Sequence, residues 1–146
     1  MKNLIILQGA QGSGKSTLAK KIQTKYPEFQ IISTDEYWGP DYNFEMSKLG
    51  IAHRWNQDRC RNLCISGCSI IVDNTNKNMK EIKPYLDLAK EYGYFVTVMR
   101  PNNPWSYDAV QCFQRNTHKV PLETIQRTIS NTDMCLQEKV NDYMVG

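Results

Sequence analysis

The sequence predicts an α/β fold: a small parallel sheet of about four strands, flanked by helices and carrying a short lid. Two observations predict it. Four short apolar runs, at 4–7, 30–33, 69–73 and 94–99, alternate with stretches of helical periodicity, as in strand–helix–strand units joined by right-handed crossovers. The second is the segment 9–17, GAQGSGKST, which lies between the first apolar run and the first helical stretch. It matches G-x-x-x-x-G-K-[ST], the P-loop pattern that wraps the phosphates of a nucleotide.

The chemistry of that segment follows from its residue types. Glycines allow backbone angles that residues with a Cβ resist, so consecutive N–H groups can turn inward toward anionic oxygens. Gly9, Ala10, Gln11, Gly12, Ser13, Gly14, Lys15, Ser16 and Thr17 are therefore the expected nucleotide-binding residues. Lys15 is placed to reach the β and γ phosphates, and Ser16 to offer its hydroxyl to Mg²⁺ at the positive end of the new helix. ATP or GTP with Mg²⁺ is the ligand this pattern takes, and a flexible Gly/Ser turn is the alternative that the strand-to-helix context argues against.

The remaining elements can be justified in order. Leu18, Ile22 and Tyr26 recur at four-residue spacing after the P-loop, and Pro27 closes that helix. A mostly polar stretch over 47–66, with Leu49, Ala52, Cys60 and Leu63 as its apolar members, predicts a second helix with one solvated face. Asn78 and Glu81 resemble a capping box, and Ile82, Leu86 and Ala89 form a stripe that ends before Gly93. Pro84 conflicts with that helix, which must either bend there or begin later. Asn103 with Pro104, and Pro121, read as helix starts, the latter opening the helix of Leu122, Ile125 and Ile129. A last helix over 132–143 closes the fold.

In sheets of this kind ligands gather beyond the carboxyl ends of the strands. The second strand delivers Ser33, Thr34, Asp35 and Glu36 to that edge, and the third delivers Asp73, Asn74, Thr75 and Asn76. Asp73 is the expected Mg²⁺ residue with Ser16, and an Asp-Asn turn capping the loop is compatible with that role. Asp35 is the expected general base: a carboxylate facing the γ-phosphorus can orient an acceptor hydroxyl and take its proton. Glu36 is its nearest rival, and capping of a short helix is the bland account of Asp35. Phosphoryl transfer spreads charge over the γ oxygens, and Arg115, in QRNTHKV between two helices, is the expected lid arginine; His118 and Lys119 stand beside it. A surface cation at a helix end is the alternative.

Composition bounds the rest. The chain has 146 residues, 40% hydrophobic and 23% charged, room for a single domain over 1–146 with one core. Its formal charge of +3 permits a polyanionic partner without demanding one. No apolar run approaches the roughly 18 residues of a membrane span, and the first residues lack a signal-peptide pattern, so the expected location is the cytoplasm. Cys60, Cys64 and Cys68 fall on one helical face; a packing stripe is preferred to a metal site, because C-x-x-C spacing and clustered histidines are missing.

Taken together, GAQGSGKST, STDEY after the second strand, VDNTN after the third, KEYGY before the fourth, and QRN with VP before the next helix resemble the P-loop kinases of the phage polynucleotide 5'-hydroxyl kinase type. HRWNQDR resembles the related branch found in animal ubiquitin-ligase-binding proteins. The resemblance implies ATP-dependent phosphorylation of a 5' hydroxyl on DNA or RNA, with Lys15 and Ser16 on phosphate and metal, Asp35 as base, Asp73 as the third-strand acid and Arg115 on the nucleotide. The phage enzymes carry an arginine shortly after the base where this chain has Trp38, and a longer lid with a second arginine. Trp38, Tyr37 and Trp55 are then possible stacking platforms, and Arg54, Arg59, Arg61, Lys77 and Lys80 possible backbone contacts. Two other readings stay open: the same chemistry on a small-molecule, nucleoside or modified-base hydroxyl, and a nucleotide-binding interaction module that transfers nothing.

Overall fold

The computed structural model describes residues 2–146. Strands β1 (Asn3–Leu7), β2 (Gln30–Ile32), β3 (Ile70–Asp73) and β4 (Phe95–Met99) form one parallel sheet in the order β2-β3-β1-β4. Leu7 lies in register with Asp73 on one side and Met99 on the other, so the P-loop leaves the sheet between the ends of β3 and β4. Each strand falls within one residue of its apolar run; β1 and β3, covered on both faces, are buried almost throughout, whereas β4 keeps Phe95 and Thr97 exposed.

Alternation along β1 divides the core into two layers. Leu4 and Ile6 pack with Ile70 and Val72 against helices α2 (Leu49–Ile65), α3 (Met79–Tyr92) and α6 (Leu136–Val145). Ile5 and Leu7 pack with Ile71 against Ala19 of α1 (Lys15–Lys25) and against Phe29 in the link that follows it. Burying each such aliphatic side chain contributes about 1.5–3 kcal/mol, so the sheet is the rigid platform for whatever its carboxyl edge holds. A third, smaller cluster joins Ala10 of the P-loop to Cys112 of α4 (Ala109–Arg115) and Ile125 of α5 (Leu122–Ser130). These two short helices are the lid, and they rest on the phosphate loop itself.

Several local expectations are corrected. Asn103 and Pro104 start no helix: the Asn103 N–H bonds Ser106 Oγ in a turn, and α4 begins only after Asp108, whose carboxylate caps the Gln111 N–H at 3.0 Å. Residues 132–135 are likewise outside any helix, and the last helix starts at Leu136. Pro121 sits one residue before α5, in extended backbone. Pro84 does not delay α3, which starts after Asn78 as its cap predicts and runs through the proline. Glu81 accepts from the Lys77 N–H at 2.8 Å, one residue earlier than a strict capping box.

Cys60 and Cys64 do form a buried packing stripe on α2. Cys68 lies beyond it: the helix ends at Ile65, and the Cys68 N–H turns back to the Leu63 carbonyl. No group of three or more His, Cys, Asp and Glu suited to a metal ion occurs among the described residues. Nor is any described helix long and apolar enough to cross a membrane.

The outer edge of β4 is met by a side chain. Gln137 of α6 accepts from the Val98 N–H at 2.6 Å and directs its amide N–H at the Val96 carbonyl.

Candidate active site

The P-loop closes on itself through its glycines. Gly12 and Gly14 have φ of 79° and 103°, in the left-handed region that residues with a Cβ avoid. Space is as decisive as angle, since a Cβ on Gly12 would lie 2.0 Å from the Cys112 carbonyl oxygen of α4. The lid therefore sits against bare loop backbone. We expect Gly12→Ala to lower stability by about 1–3 kcal/mol through backbone strain alone, with more from displacement of α4, as read by urea unfolding.

Lys15, Ser16 and Asp73 converge just beyond the loop. The Ser16 hydroxyl donates to Asp73 Oδ2 at 3.0 Å, which joins the start of α1 to the end of β3. Burial of the Lys15 ammonium lowers its pKa, while the carboxylates of Asp73 and Asp35 oppose that shift. Burial raises the Asp73 carboxyl above its ordinary range, against the effects of Lys15 and the Ser16 hydrogen bond. A partly buried ammonium beside a buried carboxylate is poorly compensated by that pairing alone, and a polyanion with a divalent cation completes them. Ser13 Oγ and Gln11 Oε1 are buried without partners in the same loop. The donor set thus fits a nucleotide's phosphates, and the Ser16 and Asp73 oxygens fit the hard, oxygen-seeking Mg²⁺.

Asp35 follows β2 on a short 3₁₀ turn, Thr34–Trp38, capped by Ser33 rather than by Asp35. The Ser33 hydroxyl accepts from the Asp35 N–H, and Glu36 accepts from the Ser33 N–H at 3.0 Å. Glu36 also pairs with Arg59 at 3.3 Å, so its carboxylate is committed to local structure. Asp35 is exposed, its charge acts on Lys15, and its Oδ1 accepts from the Tyr42 hydroxyl at 3.2 Å.

The residues after Asp73 brace the site. Asn74 Oδ1 accepts from the Thr34 N–H, tying the turn that carries Asp35 to β3. The Thr75 carbonyl accepts from the Gly9 N–H, and Asn76, buried and left-handed at φ 47°, donates to the carbonyls of Leu7 and Val72. A further brace went unseen in the sequence: buried Gln8 accepts from Arg100 Nε at 2.6 Å and donates to the Lys77 and Asp133 carbonyls, anchoring the first residue of the loop to three distant segments.

Arg115 ends α4, exposed, with its guanidinium 3.7 Å from the centre of the Trp105 ring. Nothing in the local sequence of Trp105 marks it for this contact. His118, in the link between α4 and α5, lies against the Tyr42 ring at 3.9 Å between centroids.

The expected stacking platforms divide. Trp38 is buried, edge-on to Tyr37 and Phe44, so it belongs to the core and presents no face to a base. Tyr37 and Trp55 remain half-buried and in contact, and Arg59 covers Trp55 at 4.5 Å. Arg61 pairs with Glu91 and bonds the Tyr92 hydroxyl near the carboxyl ends of α2 and α3, where the chain turns back to the amino ends of the strands. It is thus at the wrong end of the sheet for a site at the P-loop. Lys77 is paired with Glu81, while Arg54 and Lys80 are exposed near the relevant edge.

Comparison with known proteins bears on the family and the fold. A family model described as AAA domain matches residues 4–134. The chain belongs to this family. It is 38% identical over 131 residues to human NEDD4-binding protein 2, a match covering 88% of this chain and 7% of that protein. The chain therefore corresponds to a small part of that relative. Among solved structures, a chain of the Pnkp1/Rnl/Hen1 RNA repair complex superposes with a TM-score of 0.68 at 16% identity, covering 97% of this chain and 46% of that one. A gluconokinase from Sinorhizobium meliloti 1021 gives a TM-score of 0.63 at 15% identity, covering 91% and 76%. The fold of the AAA-family chain is that of the P-loop kinases.

Proposed function

We propose that this AAA-family chain acts over residues 1–146 as one kinase domain, transferring the γ-phosphoryl group of ATP to the 5' hydroxyl of a DNA or RNA end. The observation that carries the reading is the convergence of Lys15, Asp73 and Asp35, with Ser16 bonded to Asp73 on one side and Asp35 open to solvent on the other. Residues 9–17 hold the phosphates, Ser16 and Asp73 hold Mg²⁺, and Arg115 reaches the nucleotide from the lid. When bound, ATP supplies the phosphoryl group with ADP as leaving group, and Mg²⁺ offsets charge on the β and γ oxygens. Asp35 takes the proton of the acceptor hydroxyl as its oxygen bonds to the γ-phosphorus and the bond to the bridging oxygen breaks. The similarity to a chain of an RNA repair complex and the exposed cations Arg54 and Lys80 support a nucleic-acid acceptor.

A small-molecule alcohol is the second reading. It is favoured by burial of Trp38, which leaves no side chain for an acceptor phosphate at the position where the phage-type kinases carry arginine. Incubation with γ-labelled ATP, Mg²⁺ and 5'-hydroxyl oligonucleotides tests the proposal, and label at the 5' end is the expected result. No transfer to DNA or RNA at high enzyme concentration rejects the polynucleotide acceptor, and transfer to a small alcohol instead establishes the second reading.

A further inference from the structure

The side chain that hydrogen-bonds the Asp35 carboxylate belongs to neither the P-loop nor the turn that carries Asp35. Tyr42 lies in the irregular segment after the 3₁₀ turn, with φ 49°, a left-handed conformation that an aromatic residue keeps only when its surroundings impose it. Those surroundings are visible. The Tyr42 ring stacks on Phe44 at 6.2 Å with an interplanar angle of 8°, and Phe44 meets buried Trp38 edge-on at 5.0 Å. The Tyr42 N–H bonds the Gly39 carbonyl, and the Asn43 N–H bonds the Trp38 carbonyl. The core thus holds the ring, and the ring holds two things: Asp35 through its hydroxyl, and His118 of the lid link by ring contact at 3.9 Å.

Resting on the kinase reading above, we propose that Tyr42 is a positioning residue for Asp35, and that its contact with His118 aligns the base when the lid is down. With Oδ1 engaged by the phenol, Oδ2 is the oxygen left for the acceptor hydroxyl, and rotation about the Asp35 side chain is restrained. Burial, and then the Asp35 charge, push the Tyr42 hydroxyl up to about 12, so it remains a donor at neutral pH. A carboxylate that swings freely at an exposed turn residue is a poor base, because the reacting atoms must be held within a narrow geometry. His118 is the only described lid residue with a ring contact to the base segment, which gives the lid a direct means of reporting its position to Asp35.

The test is a steady-state comparison of wild type, Tyr42→Phe, His118→Ala, His118→Phe and the Tyr42→Phe/His118→Ala double variant, with folding of each checked by thermal melting. Loss of a hydrogen bond to a charged group is expected to lower kcat about 10-fold or more in Tyr42→Phe, with KM for ATP and for the acceptor unchanged. His118→Ala is expected to lower kcat similarly, His118→Phe to restore it by keeping a ring against Tyr42, and the double variant to be no slower than Tyr42→Phe alone. Wild-type kcat in Tyr42→Phe overturns the proposal, and multiplying effects in the double variant overturn its lid coupling. A wild type that phosphorylates no acceptor of any class removes the kinase reading, and the inference falls with it; in the other failures the wild type is active.

Discussion

Asp35→Asn is expected to reduce kcat for phosphoryl transfer by about 100- to 10,000-fold, the range that a positioned general base contributes. The substitution isolates that role. Asparagine keeps the shape of the side chain and an oxygen able to accept from Tyr42, but it cannot take a proton from an alcohol. Asp35 is exposed near the start of a turn whose cap is Ser33, so stability should change by less than about 0.5 kcal/mol. ATP affinity should be retained, because the proposed phosphate contacts are those of the loop backbone and Lys15. Equilibrium binding of a fluorescent ATP analogue alongside label transfer checks both halves. A variant with wild-type kcat would show that the proton leaves by another route.

Lys15→Ala is expected to act on the other half of the site, weakening ATP binding about 10- to 100-fold, as the loss of a charge-assisted hydrogen bond to phosphate predicts. Titration calorimetry with a non-hydrolysable ATP analogue measures it. The same variant should melt no lower than wild type. Burial outweighs the help of Asp73 and Asp35 at Lys15, so the ammonium is held in place at a cost to the folded state, and truncation relieves that cost. A binding defect without a folding defect is the signature of a residue kept for its ligand.

The phosphate loop and the strands were legible because each has a local cause. A loop that presents N–H groups to phosphate needs glycines at fixed offsets, and strands covered on both faces must be apolar throughout. Asp73 was legible as the polar residue on which β3 ends, and Asp35 as a polar residue shortly after β2. The start of α4 was not. Asn103 and Pro104 imitate a helix start, yet Ser106 Oγ both accepts from the Asn103 N–H and donates to the Ser13 carbonyl at 2.8 Å, so this turn serves the P-loop. Trp38 was misplaced for a related reason. Its burial depends on Phe44 folding back over it, and an aromatic after a strand carries no mark of which side the loop will cover. The Gln8–Arg100 pair and the contact of Tyr42 with His118 join residues far apart in sequence, and long-range side-chain pairing leaves no periodicity to read.

The Gln137 amide against β4 has a consequence for how copies of this chain meet one another. An unpaired strand margin is a template on which a second molecule's backbone can dock, and repeated docking leads to fibres. By occupying the Val98 N–H and facing the Val96 carbonyl, one side chain imitates the next strand over the middle of that margin. The opposite margin, β2, is only three residues long. Between them, a glutamine stopper and a stub leave little purchase for accretion, so a sheet this small can stay solitary without a further strand to shield it.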